Sequence, residues 1–402
     1  MPKEATEQAS MTVTAIVCDE PSASFGAVFT RNAFPGAPVI LGRQLLDEPT
    51  LGAIIVNNKI SNVCAPNGLD NARRTCAAAA GALGLAPEQV LVSSTGIIGW
   101  DIPIDEIEAA IPVAKADLQD QTILPAAVGI MTTDLYPKVR RIELPGGGSI
   151  VGIAKGAGMV EPDLATMLVY ILTDAAVERE ALRALLAKAM GPTFNALSID
   201  TDTSTSDTVV ALASGRAPKP DPAAFADGFY EVCGQLAEDV VRNGEGVRHV
   251  IRCVVQGAPD EAVARGTAKA VVNSPLLKTA IAGNDANIGR LVMAVGKYIG
   301  SNAPGADLSR SRMHIGPTQV LADGVFAIDP DTDAQLHAYL KDAELYESAP
   351  DGQGSYVPPV AYPPHQRCVE IVVDLGCGGA GFTATGADLT HEYVTENADY
   401  RS

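Results

Sequence analysis

The residues whose types and spacing best suit chemistry lie between Gly152 and Leu168. This stretch reads Gly-Ile-Ala-Lys-Gly-Ala-Gly-Met-Val-Glu-Pro-Asp-Leu-Ala-Thr-Met-Leu. Gly156 and Gly158 follow Lys155 closely, and glycine permits positive φ and close approach of the backbone to a ligand. Glu161-Pro162 biases the chain toward an extended or turned path. A small residue, Ala165, then precedes a hydroxyl residue, Thr166, at the start of an apolar run. Read alone, the Ala-Thr pair is a threonine in a buried strand preceded by a loop. Lys155 likewise reads as a solvated loop lysine or as the cation that meets an anionic ligand.

Two other clusters invite a chemical reading. Gly376-Cys377-Gly378-Gly379-Ala380-Gly381 satisfies GxGxxG, but a dinucleotide site also needs a following helix and an acid about 20 residues on. Phe382 to Thr385 reads as strand, so a glycine-rich turn between two strands is expected. The hydroxyl cluster Thr203 to Thr208 lacks the Gly-Lys pair of a phosphate cradle and reads as a capped loop packed near a site.

Alternating strand-like and helix-like segments must position these residues. Strands are expected at Met11 to Cys18, Gly52 to Asn57 and Gln89 to Ser93, the last running into the turn Ser94-Thr95-Gly96. Arg140 to Leu144 and Ser149 to Ala154 flank Pro145-Gly146-Gly147-Gly148 as a hairpin. Met167 to Leu172, Ala196 to Ile199, Val209 to Ala213, Val250 to Val255, Arg367 to Leu375 and Phe382 to Thr385 complete the strands. Helices are expected at Asn71 to Leu85, Ile104 to Ala116, Val177 to Met190, Asp221 to Asn243, Pro259 to Ser274 and Asn287 to Ile299. Asp285-Ala286-Asn287 suits an N-cap. Glu347 to Pro364 reads as a surface loop. Several strands follow one another without an intervening helix, which predicts α+β layers over a doubly wound parallel sheet.

Composition narrows the function classes. The 402-residue chain carries 48 acidic and 29 basic side chains, a formal charge of −19. Both halves are acidic, so neither has the basic footprint of a nucleic-acid binder or of a protein held on an anionic membrane. With 47% hydrophobic and 19% charged residues the chain is expected to fold. Its seven widely spaced cysteines form no CxxC, which predicts reduced thiols in a cytoplasmic protein. With five histidines and no HExxH, no metal site is expected. Met1 to Ser10 lacks the apolar core of a signal peptide.

The stretch around Thr166 resembles the signature of the ornithine acetyltransferase family, also called glutamate N-acetyltransferase. The resemblance extends in order along the chain. Ser94-Thr95-Gly96-Ile97-Ile98-Gly99 is similar to the family's STGVIG turn, and Met131-Thr132-Thr133-Asp134 to its MTTD. The run from Ser198 to Thr208 resembles its DTSTNDT loop. Asn243-Gly244-Glu245-Gly246, Lys278-Thr279-Ala280 with Asp285, Asn287, Gly289 and Arg290, and the tail Asn397-Ala398-Asp399-Tyr400 also match.

The resemblance implies a layered αββα-type sandwich that cuts itself between Ala165 and Thr166 into two interlocked chains. Residues 1–165 would form an α fragment with the oxyanion turn and the glycine-lysine loop. Residues 166–402 would form a β fragment opening with the nucleophile, with a smaller C-terminal α/β part from about residue 280. The implied reaction moves acetyl from N-acetylornithine to glutamate through acetyl-Thr166, in ping-pong fashion. Cleavage would give Thr166 a free α-amine, with a reference pKa of about 7.7–8.0, able to act as general base for its own hydroxyl. Thr95 and Gly96 would offer a hydroxyl and an N–H to the oxyanion. Binding roles are implied for Thr132, Lys155, Thr166, Glu245, Asn397 and Ser402. Glu245 could meet the ornithine ammonium, or be an ordinary acid at a helix end. No cofactor or metal is needed, and acetyl-CoA would enter only as a co-substrate of a bifunctional form. The implied assembly is an α2β2 heterotetramer in the cytoplasm.

The chain departs from the family in three places. Ile288 stands where a Trp is usual, Ser402 where Thr is frequent, and the usual glycine-rich opening segment ending in Gly-Ile-Lys is not found before the first strand. The alternatives are a paralogue acting on another N-acyl amino acid, an amidohydrolase, or a non-enzymatic relative.

Overall fold

The structure is a computed structural model in which residues 11–161, 167–327, 329–345 and 364–398 are described. It is mixed α and β with several sheets, and it divides into two compact units. The described part of the first unit covers 11–156, 167–195 and 203–237. Its strands are β1 (Val13–Ser22), β2 (Ser24–Phe29), β3 (Leu51–Asn57), β4 (Val90–Ser94), β5 (Lys138–Glu143), β6 (Ser149–Lys155), β7 (Leu168–Ala175) and β8 (Thr208–Ala217). Its helices are α1 (Ala37–Leu45), α2 (Gly68–Leu83), α3 (Ile104–Ala116), α4 (Leu124–Gly129), α5 (Arg179–Met190) and the start of α6 (Pro222–Arg242).

Alternation along the strands sets the layers. In β3 and β4, Ile54, Val56 and Leu91 face one core, while Ala53, Ile55, Val90 and Val92 face another. On the second face lie Ala72, Cys76, Ala79 and Ala80 of α2, spaced as one helical stripe, with Ile107 and Ile111 of α3. On the first face lie Ile153, Leu168, Tyr170, Val210 and Leu212, which belong to a second sheet. The three-stranded sheet, ordered β1-β3-β4, thus lies between helices and a five-stranded sheet ordered β2-β8-β7-β6-β5. The far side of the five-stranded sheet meets α6. A Cβ on Gly152 would come within 2.6 Å of the Leu236 side chain, so glycine is what allows this helix so close.

The hairpin expected around Pro145 to Gly148 is present, with β5 and β6 antiparallel. β7 lies between β6, its antiparallel neighbour, and β8, its parallel neighbour. Lys155 and Thr208 therefore flank Leu168 on either side.

The second unit comprises 157–161, 196–202 and the described residues from 238 onward. It contains β9 (Val250–Ala258), α7 (Glu261–Val272), α8 (Pro275–Ala282), α9 (Ile288–Asn302), β10 (Arg312–Ile315), β11 (Thr318–Ala322), β12 (Val325–Phe326), α10 (Pro330–Asp342), β13 (Val369–Asp374), β14 (Ala380–Ala387) and α11 (His391–Ala398). Its sheet runs β12-β11-β10-β13-β9-β14, with the short strand Leu197–Ser198 beside β14. One core unites this sheet with α7, α9 and α10, through Ile251, Val255, Val271, Leu291, Val295, Leu336 and Ile371. Asn287 caps α9, its Oδ1 accepting the N–H of Arg290 at 3.1 Å, as the sequence suggested.

The glycine cluster 376–381 joins β13 to β14 with no helix after it. A Cβ on Gly378 would meet the Ala258 carbonyl oxygen at 2.1 Å. These glycines serve the turn. The loop expected at Glu347 to Pro364 lies, apart from Pro364, outside the described residues. β2, α1, α4, α8, the strands β10 to β12, α10 and α11 were not anticipated from the sequence. No described helix is long and apolar enough to cross a membrane.

Candidate active site

The turn after β4 is built by strand pairing. β3 and β4 run parallel and both end here, Asn57 opposite Ser94. Thr95 N–H donates to the Asn57 carbonyl at 3.1 Å, and Ile97 N–H to the Lys59 carbonyl at 2.8 Å. Between them Gly96 has φ +126°, and a Cβ would sit 2.1 Å from the Lys59 carbonyl carbon. Only glycine fits this position. Among the described residues the Gly96 N–H meets no acceptor.

Lys155 ends β6, nearly buried at 9% exposure, and its Nζ donates to Thr95 Oγ1 at 3.1 Å. An ammonium only donates, so Thr95 accepts from Lys155 and keeps its own O–H proton to donate elsewhere. Thr95, Gly96 and Lys155, singled out in separate motifs, are therefore brought together.

Asp134 ties Thr132 to the same place. Its Oδ2 accepts the Thr132 N–H at 3.0 Å and its Oδ1 the Gly156 N–H at 2.8 Å. It also forms a fully buried ion pair with Lys138. Burial alone would raise the Asp134 carboxyl, but Lys138 and Lys155, with the Gly156 N–H, bring it down to about 2. Asp134 was quoted only as part of a motif, and its anchoring role was missed. The available signal was the i,i+4 spacing of Asp134 and Lys138.

The loop before β8 is held by its backbone. Thr30 Oγ1 donates to the Ser204 carbonyl at 2.6 Å, Asn32 Nδ2 to Thr203 at 2.9 Å, Gly36 N–H to Thr205 at 2.9 Å and Thr30 N–H to Asp207 at 3.0 Å. Thr208 N–H donates to the Met167 carbonyl at 2.9 Å. Asp207 is 2% exposed, and among the described residues its Oδ2 has no hydrogen-bond partner. Burial pushes its carboxyl well above the ordinary carboxylate range, against the pull of the Ser204 hydroxyl and the Lys155 charge.

In the second unit Glu245 and Asn397 come together. Asn397 Nδ2 donates to Glu245 Oε2 at 2.8 Å, and Glu245 N–H to the Ala157 carbonyl at 2.9 Å. Gly158 makes room for the carboxylate, since a Cβ there would lie 2.2 Å from Glu245 Oε2. Helix α11, which carries Asn397, is docked by Thr390, whose Oγ1 donates to the Gly246 carbonyl at 2.6 Å. The preceding Asp388 accepts Arg248 N–H at 2.9 Å and pairs with buried His249 at 2.8 Å. The strap 157–161 is pinned by Asp200, which accepts the N–H groups of Met159 and Val160 at 2.6 and 2.7 Å. Glu161 accepts Ser198 Oγ at 2.8 Å and Asn273 Nδ2 at 2.6 Å.

Ala165, Thr166 and Ser402 lie outside the described residues. Met167, the next residue after Thr166, is described and leads directly into β7 beside Lys155. No group of His, Cys, Asp or Glu among the described residues could hold a metal ion. Among the described residues, the first unit thus gathers a hydroxyl proton and an amide N–H without acceptors and a buried ammonium around Thr95, Gly96 and Lys155. Such donors suit an oxyanion and a carboxylate.

The chain is similar to known proteins along nearly its whole length. The ArgJ family profile matches residues 4–402. The arginine biosynthesis bifunctional protein ArgJ of Gluconobacter oxydans is 40% identical over 394 residues, covering 95% of this chain and 86% of that protein. The glutamate N-acetyltransferase Oat2 of Streptomyces clavuligerus is 37% identical over 381 residues, 94% of this chain and 90% of its own length. Among solved structures, the arginine biosynthesis bifunctional protein argJ of Bacillus halodurans is 32% identical with a TM-score of 0.47, covering 57% of this chain and 98% of that chain.

Proposed function

Since the chain belongs to the ArgJ family, we propose that it is an acetyltransferase of arginine biosynthesis that moves acetyl from N-acetylornithine to glutamate. The observation that carries this reading is the Lys155–Thr95 hydrogen bond at 3.1 Å, which leaves the Thr95 proton and the Gly96 N–H for a developing oxyanion. The same ammonium retains two donors for a substrate α-carboxylate.

The chain first cuts itself. Thr166 Oγ attacks the Ala165 carbonyl, the C–N bond breaks and releases the Thr166 α-amine, and water hydrolyses the resulting ester to give the Ala165 carboxylate and restore the Thr166 hydroxyl. In the transfer reaction the amine takes the Thr166 hydroxyl proton as Oγ attacks the acetyl carbonyl of N-acetylornithine. Thr95 and Gly96 stabilise the tetrahedral oxyanion. The proton passes to the departing amine, ornithine leaves, and acetyl remains on Thr166. The glutamate amine then attacks this ester and restores Thr166. Lys155 binds the α-carboxylate common to both substrates, and Glu245 binds the ornithine side-chain ammonium. Thr132, Asn397 and Ser402 complete substrate binding.

The word bifunctional in the Gluconobacter relative's name supports acetyl-CoA as a second acetyl donor. The family resemblance supports an α2β2 assembly of the two fragments in the cytoplasm. The test is acetyl transfer to glutamate by purified protein, measured in parallel with N-acetylornithine, acetyl-CoA and water-only controls. Transfer from N-acetylornithine is expected. Hydrolysis without transfer would replace this reading with an amidohydrolase.

A further inference from the structure

Alternation along β3 and β4 places Ala53, Ile55, Val90 and Val92 on the face packed against α2 and α3. The next positions in these two series are Asn57 and Ser94, paired across the parallel strands and 6% and 4% exposed. Two polar side chains thus end a buried apolar layer. A break in an otherwise consistent pattern marks a functional or strained place. Strain lies next to it. In the loop 58–64, Lys59, Asn62 and Cys64 have φ of +72°, +54° and +52°. A residue with a side chain is costly in this left-handed region and stays there only where its surroundings hold it.

The hydrogen bonds say what is held. The Ile60 carbonyl only accepts, so the Asn57 carboxamide must turn its Nδ2 toward it, and donates at 2.9 Å. Its Oδ1 then faces Ser94, whose Oγ donates to it at 2.6 Å. One side chain ties the residue after Lys59 to the residue before Thr95. Between these ties the Asn57 carbonyl accepts the Thr95 N–H and the Lys59 carbonyl the Ile97 N–H. Ser61 closes the seam, its N–H and Oγ donating to the Ile97 carbonyl at 3.0 and 2.8 Å. The amides on either side of Gly96 are therefore consumed by a loop whose shape Asn57 fixes. Among the described residues, the Gly96 N–H is the one left over.

We infer that Asn57 is a further positioning residue of the reaction: its carboxamide locks the strained loop 58–61 against the turn 94–97 and so aims the Thr95 hydroxyl and the Gly96 N–H. This rests on the function proposed above, in which those two groups meet the oxyanion. Such donors act on a charge that develops only toward the transition state. Misaiming them slows the chemical step and leaves binding of the substrate largely alone. Buried at the end of β3, Asn57 acts only through the turn.

The test measures acetyl transfer from N-acetylornithine to glutamate by full-length wild type and Asn57→Asp, with rates taken per mole of cut protein by intact mass. The aspartate keeps the shape and the acceptor but has no N–H for the Ile60 carbonyl. Its kcat should fall about 10- to 100-fold, less than the roughly 10²–10³ of an outright lost donor, with KM for both substrates within about 3-fold. The same substitution made in Thr95→Val should cost less than it does in wild type, because one of the two donors that Asn57 aims is already gone. A residue that only supports the fold would move the unfolding midpoint, leave kcat alone and show no such coupling. Should Asn57→Asp fail to fold by circular dichroism or stay uncut, Ser94→Ala, which removes the bond to Asn57 Oδ1, is put through the same measurements. An unchanged kcat, a rise in KM alone, or a loss as large in Thr95→Val as in wild type overturns this inference and leaves the proposed function standing. A wild type that transfers no acetyl from N-acetylornithine overturns the proposed function, and this inference with it.

Discussion

The Asp134 carboxylate accepts the amide N–H of Gly156 at 2.8 Å, so the turn after Lys155 is anchored to a motif 22 residues upstream. The same carboxylate is the buried partner of Lys138. Asp134→Asn would remove the carboxylate that pairs with buried Lys138. Loss of one partner of a buried pair typically costs about 3–5 kcal/mol. Denaturant unfolding should show a loss of unfolding free energy of that order, with acetyl transfer lost alongside it.

Asp134 also predicts how stability responds to acid. Its carboxyl titrates at about 2 in the folded protein, against an ordinary 3.8. The folded form thus holds the proton less tightly than the unfolded chain does. The stabilisation is fully present above about pH 4 and is lost as pH falls toward 2, amounting to about 2 kcal/mol. Unfolding free energies at pH 6, 4 and 3 should show the decline in wild type, and a smaller one in Asp134→Asn.

Thr95→Val removes the hydroxyl that Lys155 orients. The loss of one oxyanion donor should lower kcat by about 10²–10³ while leaving KM nearly unchanged. Steady-state kinetics with N-acetylornithine and glutamate reads the split. An unchanged kcat would remove Thr95 from the oxyanion site.

Lys155→Met tests the carboxylate role. Both substrates carry an α-carboxylate, so KM should rise for both, by about 10- to 100-fold if a charge-assisted hydrogen bond is lost. A kcat loss should accompany it, because Thr95 would lose the donor that fixes its hydroxyl. A rise in KM for glutamate alone would assign Lys155 to the glutamate side-chain carboxylate, and no rise for either substrate would contradict its binding role.

Gly158→Ala places a methyl where Glu245 Oε2 now lies, 2.2 Å away. The fold should survive, because the end of a glutamate side chain can swing aside. Its hydrogen bond with Asn397 should not survive. KM for N-acetylornithine should rise several-fold, by about 1 kcal/mol of lost binding, with KM for glutamate less affected.

The sequence shows some of these relationships and hides others for physical reasons. Thr95, Gly96 and Lys155 stood out through motifs that resemble the family's, and the structure joins Lys155 to Thr95 by a hydrogen bond beside Gly96. Helices with clear stripes, such as α2 with Ala72, Cys76, Ala79 and Ala80, were legible by period. β2 was not, because its partner β8 lies nearly 200 residues away and no local turn announces it. The six-residue α4 and eight-residue α8 are too short for a helical stripe to stand out. Helix α11, which carries Asn397, is held by Thr390 on the Gly246 carbonyl, a contact across 144 residues. Asp134 sits in a motif, but its anchoring role depends on what lies beside it after folding, and the Gly156 N–H it accepts leaves no trace in spacing.

The central claim is that Thr166 becomes an N-terminal nucleophile, and intact mass under denaturing conditions tests it most directly. Wild-type protein should give two species, residues 1–165 and residues 166–402, and N-acetylornithine should add one acetyl group to the second. Thr166→Ala should give one uncut, unacetylated chain. A single uncut wild-type chain, or an acetyl group carried by residues 1–165, would contradict the account.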